Sequence, residues 1–168
     1  WNWWFNFSKV TIVENNIVVG NARGFFVYDV EYTVFKNNIV LNNAIGVHLS
    51  GSARNMWDGN DFLNNREQVK FMGTRDQLWG GEHNRAALHN DEFKAAFSDI
   101  GNYWSNYRGW DRDGNGRGDV PYEANDMVDR LLWRYPGVRL LLASPAIQTL
   151  RMVAQQFPVL RVPSVVEE

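Results

Sequence analysis

A 22-residue period constrains this chain more than any other feature. Asn15-Asn16-Ile17-Val18-Val19-Gly20-Asn21 returns as Asn37-Asn38-Ile39-Val40-Leu41-Asn42-Asn43, and again as Gly59-Asn60-Asp61-Phe62-Leu63-Asn64-Asn65, so Asn16, Asn38 and Asn60 stand 22 residues apart. The register holds outside that segment. Trp3, Phe25, Val47 and Val69 share one position, and Phe5, Val27, Leu49 and Phe71 lie two residues later. Ile12, Val34, Met56 and Leu78 form a third apolar column, and Val13, Phe35, Trp57 and Trp79 a fourth. A period of this size means one supersecondary unit per repeat, stacked on its neighbours.

The residues inside each unit decide between helix and strand. Phe25-Phe26-Val27-Tyr28 and Gly46-Val47-His48-Leu49 place apolar residues two apart between turn formers, which is the period of a short strand with one buried face. No repeat offers the longer helical periodicity of an ankyrin or tetratricopeptide unit, and the fixed leucine offsets of a leucine-rich repeat are missing. The fold class is therefore an all-β solenoid, a parallel β-helix of 22-residue coils, each coil rising about 4.8 Å. Asn16, Asn38 and Asn60 form one column and Asn21, Asn43 and Asn65 another. Asparagine tolerates positive φ at sharp corners, and side-chain amides stacked one coil apart hydrogen-bond along the ladder.

Three segments follow from this pattern. Residues 1–81 are the coils. Residues 82–123 hold a last-coil insertion, an aromatic cap and an Asp/Gly-rich loop, and residues 124–168 form a helical tail. Within the insertion, Asn84 to Phe97 reads as a short helix capped by Asn84. Gly101-Asn102-Tyr103-Trp104-Ser105-Asn106-Tyr107 is dense in aromatics and is expected to cover the solenoid end. In the tail, one amphipathic helix runs from Asn125 through Leu131 and Trp133 and stops before Pro136-Gly137. A second starts at Ser144-Pro145, carries Ile147, Leu150, Val153 and Phe157, and stops before Pro158. Val159 to Glu168 is expected to be extended. Trp1-Asn2-Trp3-Trp4-Phe5 enters the repeat in mid-register, so the chain reads as the C-terminal piece of a longer protein with further coils and a leader before it.

Composition narrows the function classes. A net charge of −2 gives no argument for nucleic acid or an anionic membrane, and the absence of cysteine excludes disulfides and thiolate metal sites. No apolar run is long enough to span a bilayer.

The sharpest local motif is the Asp-rich loop. Counting Asp111 as position one, Asp113, Asn115 and Asp119 stand at three, five and nine, Gly116 at six, and the Arg117 carbonyl at seven, as in an EF-hand loop. Position twelve is Tyr122 where the bidentate Glu belongs, with Glu123 next to it. Two readings stand open: a Ca²⁺ loop with a dissociation constant of about 10⁻⁴ M or weaker, and a plain polar turn. The histidines, His48, His83 and His89, share no metal-binding spacing, although Met56 and Met72 are near. His48 alternates with Val47 and Leu49 and faces outward; Met56 is assigned to an inward column. Surface or loop histidines are the expectation, because a copper carrier needs His and Met to converge. Glu14, Lys36 and Asp58 share an outward column of alternating sign, which reads as a solvated ladder and not as a carbohydrate-cleaving cluster.

Several of these segments carry a family resemblance. Gly101 to Tyr107, the run Asp113-Gly114-Asn115-Gly116-Arg117-Gly118-Asp119-Val120-Pro121-Tyr122, Val128 to Pro136, and Leu140-Leu141-Leu142-Ala143-Ser144-Pro145-Ala146 continuing to Arg161 resemble the C-terminal end of the NosD family, accessory proteins of nitrous-oxide reductase maturation. The resemblance implies a right-handed parallel β-helix and a periplasmic location. It implies work beside an ABC-type transporter, a membrane permease with its ATPase, during assembly of the copper–sulfur centre of nitrous-oxide reductase, with copper as handled cargo. The expected role is a non-enzymatic scaffold, with Leu131, Trp133, Leu150 and Phe157 on the partner-binding face of the tail helices. A carbohydrate-binding or carbohydrate-active β-helix is the alternative.

Overall fold

The computed structural model describes residues 11–80, 91–96, 98, 100–120, 122–124, 135–141, 144–156 and 165–167. Three strands per coil build three parallel sheets. The first sheet stacks β1 (Thr11–Glu14), β4 (Thr33–Lys36), β7 (Met56–Asp58) and β10 (Leu78–Trp79). The second stacks β2 (Ile17–Val19), β5 (Ile39–Leu41), β8 (Asp61–Leu63) and β11 (Tyr103–Trp104), and the third β3 (Arg23–Tyr28), β6 (Ile45–Ser50) and β9 (Glu67–Met72). Every register joins residues one repeat apart, as in Val13↔Phe35, Ile17↔Ile39 and Val47↔Val69. The parallel β-helix read from the 22-residue period is the observed fold.

Aromatic stacking fills the interior. Phe35 lies 4.0 Å from Trp57 at 5° between ring planes, and Trp57 lies 5.1 Å from Trp79 at 13°. A parallel column runs from Phe62 to Trp104 at 4.3 Å and on to Tyr122 at 4.2 Å. Val40, Val47, Leu49 and Val69 fill the remaining interior. Met56 is fully buried but does not belong to this core. It packs with Val34, Leu78 and Ala96 in a separate cluster. Successive residues of a strand face opposite sides, so the Phe35–Trp57–Trp79 column points inward and the Val34–Met56–Leu78 column outward. Ala96 belongs to α1 (Asp91–Ala96), which covers that outer face.

The asparagine ladders form as the stacking predicts. Asn16 donates its backbone and side-chain N–H groups to Asn38 Oδ1 at 3.1 and 3.0 Å, and Asn38 repeats this to Asn60 Oδ1 at 3.1 and 2.9 Å. Asn60 continues to Asn102 Oδ1 at 3.0 and 2.8 Å. Asn21, Asn43 and Asn65 form the second ladder, ended by the Asn65 Nδ2 donation to Gln68 Oε1 at 2.9 Å. The corner chemistry differs from the expectation. The left-handed residues are the ladder residues' predecessors, Asn15, Asn37, Gly59 and Gly101 at one corner and Gly20, Asn42 and Asn64 at the next. Each corner thus divides two tasks between adjacent residues: one takes positive φ, the next bridges coils.

Tyr103 pairs with Asp61, 42 residues back and not 22, so 20 residues are inserted in the last coil. Gly80 N–H still donates to the Trp57 carbonyl, and Gly101 reoccupies the corner above Gly59, so the insertion is residues 81–100. Asp58 anchors its return. Its carboxylate is fully buried and accepts the N–H groups of Ser98, Ile100 and Gly101 at 2.7, 3.2 and 3.1 Å. The expected solvated ladder is therefore only half present: Glu14 and Lys36 pair at 3.1 Å in the open, while Asp58 is sealed beneath the insertion.

Beyond the coils, β12 (Tyr122–Ala124) pairs antiparallel with β13 (Val165–Glu167), an extended piece of the final stretch. Pro136–Leu141 forms a 3₁₀ helix where the sequence pattern offered only a stop. Helix α2 (Pro145–Gln156) starts as expected, with Pro145 first and Ser144 Oγ accepting the Ile147 N–H at 3.4 Å. The expected N-cap Asn84 and the helix from Asn125 through Trp133 lie outside the described residues, as do Trp3 and Phe5.

Candidate functional site

Two places on the described surface gather metal-ligating groups: the Asp-rich loop and the outer face of the third sheet. In the loop, one carboxylate oxygen from each of Asp111, Asp113 and Asp119 lies within 4.8 Å of the others. The Gly-rich backbone makes this possible. Gly114 and Gly116 take φ values of 72° and 83°, open only to glycine at little strain. The turn lets Asp111 Oδ1 accept the N–H groups of Gly114 and Asn115 at 2.7 and 3.1 Å, and Oδ2 that of Gly116 at 2.8 Å. The Gly116 N–H, followed by those of Gly114 and Asn115, holds the Asp111 carboxyl below its ordinary value of 3.8. Its contribution to loop order is present above that value and lost as pH falls through the lowered one.

Asn115 Oδ1 accepts the Arg117 N–H at 2.7 Å, and Asp119 Oδ2 accepts that of Arg112. Tyr122, at the twelfth position, has a different task. Its ring stacks on Trp104 and its hydroxyl donates to Asn106 Oδ1 at 3.0 Å. The position that would carry the bidentate ligand closes the solenoid core instead, and Glu123 stands in β12 paired with Val166.

The second place was not expected from the sequence. His48 and Met72 converge: Nε2 stands 3.3 Å from Sδ. Strands β6 and β9 fix this contact, with His48 opposite Lys70 and Ser50 opposite Met72. His48 does face away from Val47 and Leu49, but it is only 5% exposed. The Phe26 ring lies over the imidazole at 5.1 Å between centroids, with the Arg23 guanidinium 4.8 Å above the Phe26 ring. Burial lowers the His48 pKa from its ordinary 6.5, and the positive charges of Arg23 and Lys70 lower it further, which favours the neutral ring.

Nδ1 of His48 is buried without a partner. No neutral tautomer satisfies the ring. With the proton on Nε2, the donor meets only a thioether, a weak acceptor, and the Nδ1 lone pair is bare. With the proton on Nδ1, that N–H is stranded and the Nε2 lone pair faces sulfur. A buried group left this way costs about 1–3 kcal/mol. The signal was present in the repeat: Met72 follows His48 by one 22-residue coil plus two, which is the diagonal neighbour on the same face of a parallel sheet.

The expected partner-binding residues separate. Leu150 is half-buried on α2; Leu131, Trp133 and Phe157 lie outside the described residues. Near Leu150 in sequence, the 3₁₀ helix presents Leu140 at 90% and Leu141 at 56% exposure, and α2 presents Val153 at 38%. No helix among the described residues is long and apolar enough to cross a membrane.

Comparison with known proteins places these features in context. Residues 5–109 match the family described as "Periplasmic copper-binding protein (NosD)". A stretch of 65 residues is 66% identical to the "Probable ABC transporter binding protein NosD" of Pseudomonas aeruginosa and 62% identical to that of Stutzerimonas stutzeri. That stretch is 39% of this chain but only 15% of either relative, so the chain corresponds to a minor part of the curated proteins it matches. Because the family match covers well over half of the residues, and the coils it covers are those seen in the structure, this chain belongs to the NosD family.

Proposed function

We propose that this chain is a non-enzymatic, periplasmic docking wall that works beside an ABC-type permease and its ATPase during maturation of the copper–sulfur centre of nitrous-oxide reductase. The names of the relatives, each a "Probable ABC transporter binding protein NosD", support the transporter as partner. The observation that carries the reading is the apolar surface beyond the coils. Leu140 and Leu141 on the 3₁₀ helix and Val153 on α2 are exposed, and Leu150 is half-buried on α2. Exposed leucines on a short helix ahead of an amphipathic one fit a groove in another protein.

Leu140→Asp with Val153→Asp tests this. Both side chains are exposed, so the substitutions leave the fold intact. Co-purification with the cognate permease is expected to fall at least tenfold, with circular dichroism unchanged. Undiminished co-purification would refute the docking role of this face.

The same reading assigns the Asp-rich loop a Ca²⁺ ion, held by Asp111, Asp113, Asn115, the Arg117 carbonyl and Asp119. The ion would brace the cap against which the tail is built. Hard oxygen donors in a tight Gly-rich turn suit Ca²⁺, and the loss of the twelfth ligand to Tyr122 keeps affinity near 10⁻⁴ M or weaker, to order of magnitude. Calorimetry is expected to show Ca²⁺ heat for the unaltered protein and none for Asp113→Ala. No heat in either removes the site. A carbohydrate-binding reading has the exposed rings of Phe26 and Tyr28 in its favour, but no carbohydrate role appears in the names of the relatives.

A further inference from the structure

We propose that His48 and Met72 form a half-open site for one monovalent copper ion on the outer face of the third sheet. The proposal rests on the reading above only for the source of the metal; the site itself rests on geometry. The donor atoms are already 3.3 Å apart. Bonds of roughly 2.0 Å to nitrogen and 2.3 Å to sulfur would span that distance at an angle of about 100° at the metal, so both donors reach one ion without moving the backbone.

The donor chemistry selects the ion. A neutral imidazole and a thioether are soft, uncharged ligands, which suit Cu(I) and suit hard divalent ions poorly. The charges that act on His48, those of Arg23 and Lys70, are both positive. They penalise a dication about twice as much as a monocation at the same place. Binding uses the Nε2 lone pair: with the proton on Nδ1, the lone pair that faces sulfur becomes a ligand, while the Nδ1 N–H stays buried without a partner.

The site is built for transfer. His48 is sealed under Phe26, whereas Met72 is 53% exposed and forms the open side. Two donors leave coordination positions free, and a delivering or receiving protein can fill one with its own soft ligand. The ion stays Cu(I) throughout; only dative bonds form and break.

The test is an anaerobic competition titration of the purified protein with Cu(I) and a chromophoric chelator. One equivalent is expected to bind, and X-ray absorption is expected to show sulfur and nitrogen in its coordination shell. His48→Ala and Met72→Leu should each weaken binding at least tenfold. Met56→Leu, buried in the other apolar cluster, should leave it unchanged, and equimolar Zn²⁺ should not displace the copper. Circular dichroism of each variant separates loss of the ligand from loss of the fold. Absence of stoichiometric Cu(I) binding, or binding indifferent to both substitutions, overturns the site. Displacement by Zn²⁺ overturns its selectivity. Permease docking is read separately, so copper binding lost with docking kept refutes this site alone, and the reverse refutes the scaffold role alone.

Discussion

Trp57→Ala is expected to lower the free energy of unfolding by about 4 kcal/mol. Trp57 is fully buried in the middle of the first aromatic column, between Phe35 at 4.0 Å and Trp79 at 5.1 Å. It also meets Phe25 edge-on at 6.3 Å and Phe62 at 6.4 Å. Truncation leaves a cavity that its neighbours cannot fill, because each is locked to a strand on its own coil. A solenoid makes this worse than a globular core does. Each coil contacts only the coils on either side, so losing one interface uncouples the stack above it from the stack below. Urea denaturation followed by circular dichroism is the measurement. A midpoint shift equivalent to under 1 kcal/mol would mean that the column does not carry the fold.

The second large effect is polar. Asn60→Ala is expected to cost about 3–5 kcal/mol, since each stranded buried group costs about 1–3 kcal/mol and partial relaxation recovers some of it. Asn60 Oδ1 receives the backbone and side-chain N–H groups of Asn38, and Asn60 Nδ2 donates to the Phe35 carbonyl at 2.9 Å and to Asn102 Oδ1 at 2.8 Å. Alanine removes the acceptor of both Asn38 N–H groups and the side-chain donor to the Phe35 carbonyl, while Asn102 Oδ1 keeps the Asn60 backbone N–H. Asn60→Asp does not rescue, because it turns a donor into an acceptor that faces three other acceptors, the Phe35 and Asp58 carbonyls and Asn102 Oδ1. Asn21→Ala is the internal control. Its side chain is exposed and donates to the Val19 carbonyl at 3.1 Å, and its loss is expected to cost under about 1 kcal/mol in the same denaturation experiment.

The period made most of the solenoid legible. Twenty-two residues fixed which side chains stack, and the paired registers follow directly from it. Stacking alone does not say which side of a strand a column faces. The adjacent columns Val34–Met56–Leu78 and Phe35–Trp57–Trp79 are both apolar, so both suggested the interior. What resolves them is α1, which returns over the outer face and buries Met56 there, a tertiary event with no trace in the repeat. Asp58 misled for the same reason. Its column mates Glu14 and Lys36 are solvated, and only the insertion's return makes the third member a buried anchor. The His48–Met72 contact was legible in principle, since one coil plus two residues marks a diagonal neighbour. The i, i+4 spacing of a helical metal site has no meaning in a parallel sheet, where the offset of one coil plus two is what brings two side chains together. The twelfth loop position shows the reverse case: the absent Glu was visible in the sequence, but its cause, the stacking of Tyr122 on Trp104, was not.

The most direct measurement is co-purification of this protein with the cognate permease–ATPase pair, with nitrous-oxide reductase included and copper both present and absent. The docking-wall account predicts capture of the permease in both conditions, because the exposed Leu140, Leu141 and Val153 take no part in the proposed copper site. No capture in either condition would contradict it and would make those helices a cover for the solenoid end and nothing more.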